Sequence, residues 1–91
     1  MIDLNAKLIK NEDIAWRQID DDAILIDIDE EEVTHFNAVA AQIWDALDGE
    51  RSVAEIINFI YDQFEVEEDK AKMDTLDFIN KLLQRELVKI K

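Results

Sequence analysis

Two apolar-rich segments in the first third of the chain, separated by a polar turn, predict strands. Residues 14–19 and 23–28 carry large aliphatic and aromatic side chains that suit a pleated, half-buried surface, and the acidic run Asp20–Asp22 predicts the turn between them. Residues 33–36, Val-Thr-His-Phe, predict a third, short strand. Residues 1–13 match no pattern, so we expect them to form a mobile N-terminal arm.

Residues 38–48 predict the first helix, with a signal at each end. Asn37 is a helix N-cap, because its side-chain oxygen can accept a hydrogen bond from the first turn. The residues that follow combine helical propensity with apolar spacing of helical period. Gly49, the single glycine of the chain, stands where a helix needs a left-handed residue to stop.

A capping box predicts the start of the second helix. Ser52 and Glu55 have the spacing at which each side chain bonds the other residue's backbone N–H, so we expect a helix from Ser52 to about Phe64. A third helix is predicted over about residues 68–87. A three-stranded antiparallel sheet followed by three helices gives an α+β domain over residues 14–91.

Composition limits the chemistry that the chain can perform. Its 91 residues make one domain, and 48% of them are hydrophobic. Because cysteine is absent, the chain has no disulfide, no thiolate zinc site and no thiol nucleophile. No apolar run exceeds four residues, and the N-terminus lacks the basic and apolar regions of a signal peptide. We therefore expect a cytoplasmic protein without a membrane span.

The charge argues against nucleic acid as a partner. Twenty-three acidic residues against ten basic ones give a net charge of −13. A phosphate backbone would be repelled, because affinity for nucleic acid depends on Lys and Arg side chains that displace counterions. Solubility accounts for most of this charge. Its functional interpretation is a basic or neutral partner whose association is sensitive to salt.

Candidates for catalysis or metal binding are weak. His35 is the sole histidine, and one histidine beside charged residues is seldom a base or a metal ligand. The acidic runs Asp20–Asp22 and Asp29–Glu32 lack the spacing and the central glycine of a calcium loop. Ser52 invites comparison with the phosphopantetheine serine of acyl carriers, but the capping box already explains it. We therefore predict no catalytic residue, no cofactor and no metal, and a protein that is not an enzyme.

The third predicted helix carries more apolar surface than contact with one core requires. At about 100° per residue, Phe78, Ile79 and Leu82 cluster on one side, which we assign to the core. A second stripe consists of Met73, Leu76, Leu83 and Leu87, with Asn80 among them. Two interpretations stay open: the stripe packs under a β wing or the N-terminal arm, or it forms the wall of a groove.

A set of spaced residues also carries a family resemblance. They are Phe36-Asn37, Ala40-Ala41, Ile43-Trp44, Leu47-Asp48-Gly49, Ser52-Val53 and Glu55-Ile56. In this spacing the chain resembles the PqqD-like family (coenzyme PQQ synthesis protein D) over roughly residues 14–88. Further towards the C-terminus the resemblance continues through Asp74, Phe78-Ile79, Leu82 and Leu87-Val88.

Two positions depart from the pattern of that family. Phe36 replaces the usual leucine, a substitution without consequence for the fold. Glu86 stands where a glycine often precedes the final Leu-Val pair, and this substitution bears on the geometry of the last turn.

The resemblance implies a winged helix-turn-helix fold and a non-catalytic role. Domains of this family act as peptide chaperones, or RiPP recognition elements, for ribosomally made peptides. They bind the leader segment of a precursor as an added strand against the third β-strand, beside the third helix. They then present it to a modifying enzyme, often a radical SAM protein, and PQQ biosynthesis is one of the pathways served. An exposed strand edge offers unpaired N–H and C=O groups for such binding.

On this basis we expect a peptide-binding site built from one strand and one helix. Backbone pairing is assigned to Val33, Thr34, His35 and Phe36. The side-chain wall is assigned to Met73, Leu76, Asn80 and Leu83, with Asp77 and Gln84 at its rim.

Two other functions stay open at this point. A winged-helix DNA-binding regulator is the main alternative, and it would need a basic recognition helix. The third helix instead mixes Lys70, Lys72, Lys81 and Arg85 with Asp69, Asp74, Asp77 and Glu86. A scaffold that binds only a partner enzyme is the other alternative.

Overall fold

The computed structural model describes residues 2–27 and 30–91, and within these ranges lie six strands and three helices. In chain order they are β1 (Lys7–Lys10), β2 (Ala15–Ile19), β3 (Asp22–Asp27), β4 (Glu32–Phe36), α1 (Ala38–Ala46), β5 (Asp48–Ser52), α2 (Val53–Gln63), α3 (Glu68–Gln84) and β6 (Val88–Ile90). Ile28, the end of the second predicted strand, and Asp29, the start of the second acidic run, lie outside the described residues. None of the described helices has the length and apolar composition needed to cross a membrane.

The strands β2, β3 and β4 pair in that order into an antiparallel sheet, here called the meander sheet. These are the consecutive strands that the sequence pattern predicts. The register sets Ala23 opposite Phe36, and both side chains are buried on the inner face. Ile26 is paired with Val33, and both are exposed. Because successive strand residues point to opposite faces, the sheet packs on the core with one face only.

A second antiparallel sheet, β5-β1-β6, is here called the closing sheet. Its central strand β1 lies within residues 1–13, where we expected a mobile arm, and the structure differs from that expectation. β1 pairs with both neighbours, and Leu8 is fully buried. The partners of β1 lie far along the chain, as the pairing of Leu8 with Ile90 illustrates. Nothing near residue 8 in the sequence signals such a pairing, which is why local pattern missed it.

Asn37 caps α1 as predicted, with its Oδ1 accepting a hydrogen bond from the Ala40 N–H (3.0 Å). The helix ends at Ala46, before the predicted end at residue 48. Gly49 has the left-handed backbone that we expected, with φ +79°, but it lies inside β5 and does not terminate the helix. Its conformation serves the strand, which passes so close to Ile9 that a side chain at Gly49 would not fit.

Lys10 of β1 closes the carbonyl end of α1. Its Nζ donates to the backbone oxygens of Leu47 (3.1 Å) and Asp45 (3.3 Å), where a cation also complements the helix dipole. The ammonium group lies 5.7 Å from the ring centroids of both Trp16 and Trp44, within the range of cation–π attraction. Burial lowers the pKa of Lys10, and nearby aspartate charges oppose this shift.

The predicted capping box is present at the start of α2. Ser52 Oγ accepts from the Glu55 N–H (3.2 Å), and the Glu55 carboxylate accepts from the Ser52 N–H (3.0 Å). The hydrogen bond from the Ser52 N–H lowers the pKa of Glu55. The helix ends at Gln63, next to the predicted end at Phe64. Ser52 therefore has the structural role that its position indicates.

The helix α3 ends at Gln84, short of the predicted end at residue 87, in a Schellman motif. The Glu86 N–H donates to the Leu83 carbonyl (3.1 Å), and the Leu87 N–H donates to the Leu82 carbonyl (2.9 Å). Glu86 supplies the left-handed residue of this motif, with φ +58°. The turn thus keeps the geometry that a glycine would give, and the glutamate adopts it under strain.

The core lies where the helices meet the inner face of the meander sheet, and Trp44 is fully buried in it. Its ring centroid lies 6.2 Å from that of Trp16 and 5.8 Å from that of Phe36. The Phe36 ring in turn lies 5.0 Å from Phe78, edge to face. We call Trp16, Trp44, Phe36 and Phe78 the aromatic chain. It links β2, α1, β4 and α3, and each such pair contributes about 0.5–1.5 kcal/mol beyond the area that it buries.

Replacing Glu86 by glycine is expected to stabilise the protein. The change removes the left-handed strain of a side chain, which stabilises the fold. Glycine also increases the entropy of the unfolded chain, which offsets part of this gain and leaves about 0.5–1 kcal/mol. Urea unfolding followed by circular dichroism would measure it. Glu65→Gly is the matched control, since Glu65 is exposed and outside the helices but lacks a positive φ, and it should lose stability. Equal losses in both variants would contradict the strain at Glu86.

Gly49→Ala is expected to destabilise the protein for two separable reasons. The positive φ alone costs an alanine about 1–2 kcal/mol. In addition, an ideal Cβ would lie 2.5 Å from Ile9 Cγ2. Ile9→Ala removes that methyl group, so the penalty of Gly49→Ala should be smaller in an Ile9→Ala background. A double-mutant cycle of unfolding free energies measures the difference. An identical penalty in both backgrounds would show that the close approach has no effect.

Candidate functional site

The outer edge of β4 is open. Within the part of the chain that the structure describes, β4 pairs with β3 and has no strand on its other side. Such an edge presents N–H and C=O groups that no neighbouring strand satisfies. The edge of β2, at the opposite side of the meander sheet, is open in the same way. What distinguishes the β4 edge is the helix beside it.

A groove of about 380 Å³ lies between β4 and α3, here called the β4–α3 groove. The strand side and the start of α1 contribute Thr34, His35, Phe36, Asn37 and Ala40. The helix side contributes Phe78, Lys81, Leu82, Gln84 and Arg85. The groove is therefore bordered by an unpaired strand edge along one side and by side chains of one helix along the other.

The floor of the groove is apolar. Phe36 and Leu82 are buried, and Phe78 is half-buried with its ring packed edge to face on Phe36. Since Phe36 also contacts the buried Trp44, the aromatic chain holds β4 and α3 at a set separation. An apolar floor beside an unpaired edge suits a peptide that pairs its backbone and lays alternate side chains into the groove.

Arg85 crosses the end of the groove. Its Nη2 donates to Thr34 Oγ1 (2.9 Å) and lies 3.3 Å from Glu32 Oε2. Thr34 and Glu32 belong to β4, whereas Arg85 follows the last residue of α3. This contact joins the helix to the strand on the side where an added strand would lie.

The structure places the predicted strand residues unequally. Thr34 and Phe36 face the helix side, and Thr34, His35 and Phe36 line the groove. The His35 side chain is exposed, with Nε2 2.9 Å from Asp22 Oδ2. Val33 is 67% exposed and does not line the groove. The backbone of these residues forms the open edge, and two of the four side chains point towards α3.

The predicted helix wall does not lie beside β4. Asn80 and Leu83 border a hollow that the N-terminal segment and β6 complete, and Leu76 packs against the core. Met73 is 64% exposed. Around the helix, Leu76 and Leu83 lie about 140–160° from Phe78 at 100° per residue, so they cannot face the same strand. The other interpretation of this stripe, packing against the N-terminal segment, describes the position of Leu83.

The two predicted rim residues are separated as well. Gln84 lines the β4–α3 groove. Asp77 borders an adjacent cleft of about 440 Å³ between the helices, whose apolar lining includes Val39 and Phe64. Phe78 and Lys81 line both spaces, so the groove continues into this cleft.

Sequence reasoning missed the helix residues that do line the groove. It assigned Phe78 and Leu82 to the core, which is correct for their buried part, and it did not select Lys81 or Arg85. A signal for them exists in the sequence. Phe78, Lys81 and Arg85 recur at intervals of three or four residues, so they share one helix face, and the polar pair is basic in a strongly acidic chain.

The described residues contain no group of three His, Cys, Asp or Glu side chains that could hold a metal ion. Of the first acidic run, Asp22 is paired with His35, and Asp20 has the positive φ (53°) of a tight turn. The groove is lined by strand backbone, apolar side chains, neutral polar side chains such as Thr34 and Gln84, and the cations Lys81 and Arg85.

An open strand edge beside an apolar-floored groove defines a class of domain that can dock an extended peptide. The chain belongs to the family of coenzyme PQQ synthesis protein D (PqqD), whose family model matches residues 22–88. No curated protein gives a significant match to the sequence.

Two solved structures share the fold. One is TbiB1 in complex with the TbiA(beta) leader peptide, with 23% identity and a TM-score of 0.79 over 89% of this chain and 94% of that chain. The other is lasso peptide synthetase B1 complexed with the leader peptide, with 25% identity and a TM-score of 0.80 over 92% of this chain and 99% of that chain.

The position of Leu83 against the N-terminal segment can be tested with Met73 as the matched control. Leu83→Ser is expected to lower the unfolding free energy by about 1–2 kcal/mol, because it removes a half-buried apolar side chain. Met73→Ser, a similar change at an exposed position of the same helix, should stay within about 0.5 kcal/mol of wild type. Thermal and urea unfolding measure both. Equal effects would place Leu83 in an open wall after all.

Proposed function

We propose that this protein binds the leader segment of a ribosomally made precursor peptide and presents it to a modifying enzyme, without catalysing a reaction itself. The observation that carries the proposal is the open edge of β4 beside the β4–α3 groove. A leader in extended conformation would add to this edge as a further strand, and its alternate side chains would enter the groove.

The comparisons support this function from a second direction. The chain is a PqqD family member, and both structural neighbours were solved with a leader peptide bound. The high coverage of each neighbour supports a whole domain in common rather than one motif.

The proposed contacts follow the geometry of the groove. Residues 33–36 would pair through their backbone. The side-chain wall would consist of Phe78, Lys81, Leu82, Gln84 and Arg85. Of the helix residues expected from the sequence, Gln84 stays in this wall, and Asp77 would contact a peptide only where it enters the adjacent cleft. Met73, Leu76, Asn80 and Leu83 have no part in it.

Several finer points belong to the same proposal. We include in it a winged helix-turn-helix fold, with the meander sheet as the wing. The protein would act in the cytoplasm, where ribosomes release precursor peptides. The partner is a peptide-modifying enzyme, for which a radical SAM protein and the PQQ pathway are one choice. The likeness to lasso peptide synthetase B1 supports a peptide-modifying enzyme as the partner.

A DNA-binding regulator is the alternative that the winged-helix description raises, and the charges oppose it. The net charge is −13, and α3 alone carries four acidic residues against three lysines. Each peptide titration is therefore accompanied by a titration with duplex DNA at low salt, where electrostatic attraction is largest, and no binding of DNA is expected.

Hydrogen exchange provides the test, because the meander sheet has two open edges. Peptides encoded by short reading frames beside the gene would be added, and amide exchange followed by NMR. The outward-facing amides of β4 should exchange fast in the free protein and become protected in the complex. Those of β2 should stay unprotected and serve as the internal control. Protection of β2 instead of β4, or binding of DNA and of none of the peptides, would overturn the proposal.

A further inference from the structure

The β4–α3 groove reverses the charge of the protein that surrounds it. The chain carries 23 acidic residues and 10 basic ones. Among the described residues, however, the groove lining includes the cations Lys81 and Arg85 and no aspartate or glutamate. Acidic side chains surround this lining: Asp27 and Glu30 lie beyond the Glu32 end, Asp77 borders the adjacent cleft, and Asp22 contacts the outer side of His35. A positive groove on a protein of net charge −13 is a local feature that solubility does not explain.

The cations of the groove keep capacity for a further partner. Lys81 makes no ion pair with any residue that the structure describes. Arg85 uses Nη2 for Thr34 and Glu32, and its Nη1 and Nε have no hydrogen-bond partner among the described residues. The Arg85 side chain is 35% exposed, so it is neither fully solvated nor locked in the core. A carboxylate is the partner that a guanidinium binds with two parallel hydrogen bonds.

Glu32 shows where such a carboxylate would sit. Its Oε2 lies 3.3 Å from Arg85 Nη2, at the edge of β4 and at the end of the groove. A strand added to β4 would bring its own side chains to the same place. An acidic side chain of the peptide would then compete with Glu32 for Arg85, and Glu32 holds the position when no peptide is present.

Resting on the proposed function, we infer that the groove selects leader segments with an aspartate or glutamate at a fixed spacing from an apolar anchor. The anchor would lie on Phe36 and Phe78, and the carboxylate would bind Arg85 with Lys81 close by. Thr34 and Phe36 are two residues apart on one face of β4. Since strand side chains alternate, the acid and the anchor should stand at positions i and i+2, or i and i+4, of the peptide.

A display library of 20-residue segments that tile the short reading frames of the source genome would test the preference. Sorting against the wild-type protein should enrich segments with an acidic residue at an even spacing from a large apolar one. The tightest binder would then be synthesised with its acid as the natural residue and as the corresponding amide. Wild type should bind the amide form about tenfold more weakly, as expected for loss of a charge-assisted hydrogen bond.

The matched variants are Arg85→Gln and Arg51→Gln. Both remove one exposed arginine charge, but Arg51 pairs with Asp48 away from the groove. Arg85→Gln should bind the acid and amide peptides almost equally, whereas Arg51→Gln should discriminate as wild type does. Arg85→Glu should prefer a peptide with lysine at that position. Thermal melts would verify that each variant is folded.

Removing the charge of Glu32 is expected to strengthen peptide binding, whereas removing that of Arg85 weakens it. Glu32→Gln should tighten binding of the acidic peptide by about two- to fivefold, because it removes the internal competitor for an exposed arginine. Glu30→Gln removes the same charge from the same hollow, but Glu30 makes no ion pair with Arg85 among the described residues, so this variant should have a smaller effect. An equal gain in both variants would mean that bulk charge, not competition for Arg85, controls binding.

The outcomes separate this inference from the proposed function. Enriched segments without an acidic preference, an odd spacing, or discrimination that survives Arg85→Gln would overturn the inference and leave peptide binding in place. A library in which wild type enriches nothing would overturn both.

Discussion

The aromatic chain is the constraint on which the rest of this structure depends. Trp44 fills the centre of the core, and through Phe36 and Phe78 it sets the distance between β4 and α3. The width of the groove is therefore a consequence of core packing and not of a flexible loop. A protein interior packs as densely as an organic crystal, so a change in the size of any ring would move the strand relative to the helix. Folding and binding geometry are in this way coupled through the same few side chains.

Local signals in the sequence predicted much of the fold because they act over a few residues. Asn37 and Ser52 each satisfy backbone groups within one turn, and their roles as caps are confirmed. The meander strands likewise follow one another along the chain. The closing sheet could not be predicted in this way, because β1 finds its partner β5 only after α1 and its partner β6 only after all three helices. Gly49 illustrates an intermediate case. Its backbone conformation was predicted, but the close approach of Ile9 that requires it is a tertiary contact.

The predicted site and the β4–α3 groove share the strand β4, but most of the predicted helix residues lie on a different face of α3 from the one that lines the groove. An apolar stripe identifies surface that is buried by something, and it does not distinguish the core from the N-terminal segment or from a ligand. Leu83 faces the N-terminal segment, whereas Phe78 lies at the boundary between the core and the groove. A half-buried side chain can serve both purposes, so periodicity alone cannot divide them. The basic residues of the same face, Lys81 and Arg85, carried the better signal, because charge in a groove has no packing explanation.

The pairing of β1 with β6 also has a consequence for the order in which the molecule assembles. The meander sheet needs only short loops, whereas Leu8 and Ile90 must meet across almost the whole chain, and long loops add to the entropy that closure has to overcome. Contacts of this separation slow folding and form late. During synthesis the edge of β4 can thus be in place while β1 still waits for its second neighbour. The closing sheet would then be the last part of the domain to form, and its strands are not the elements that line the groove.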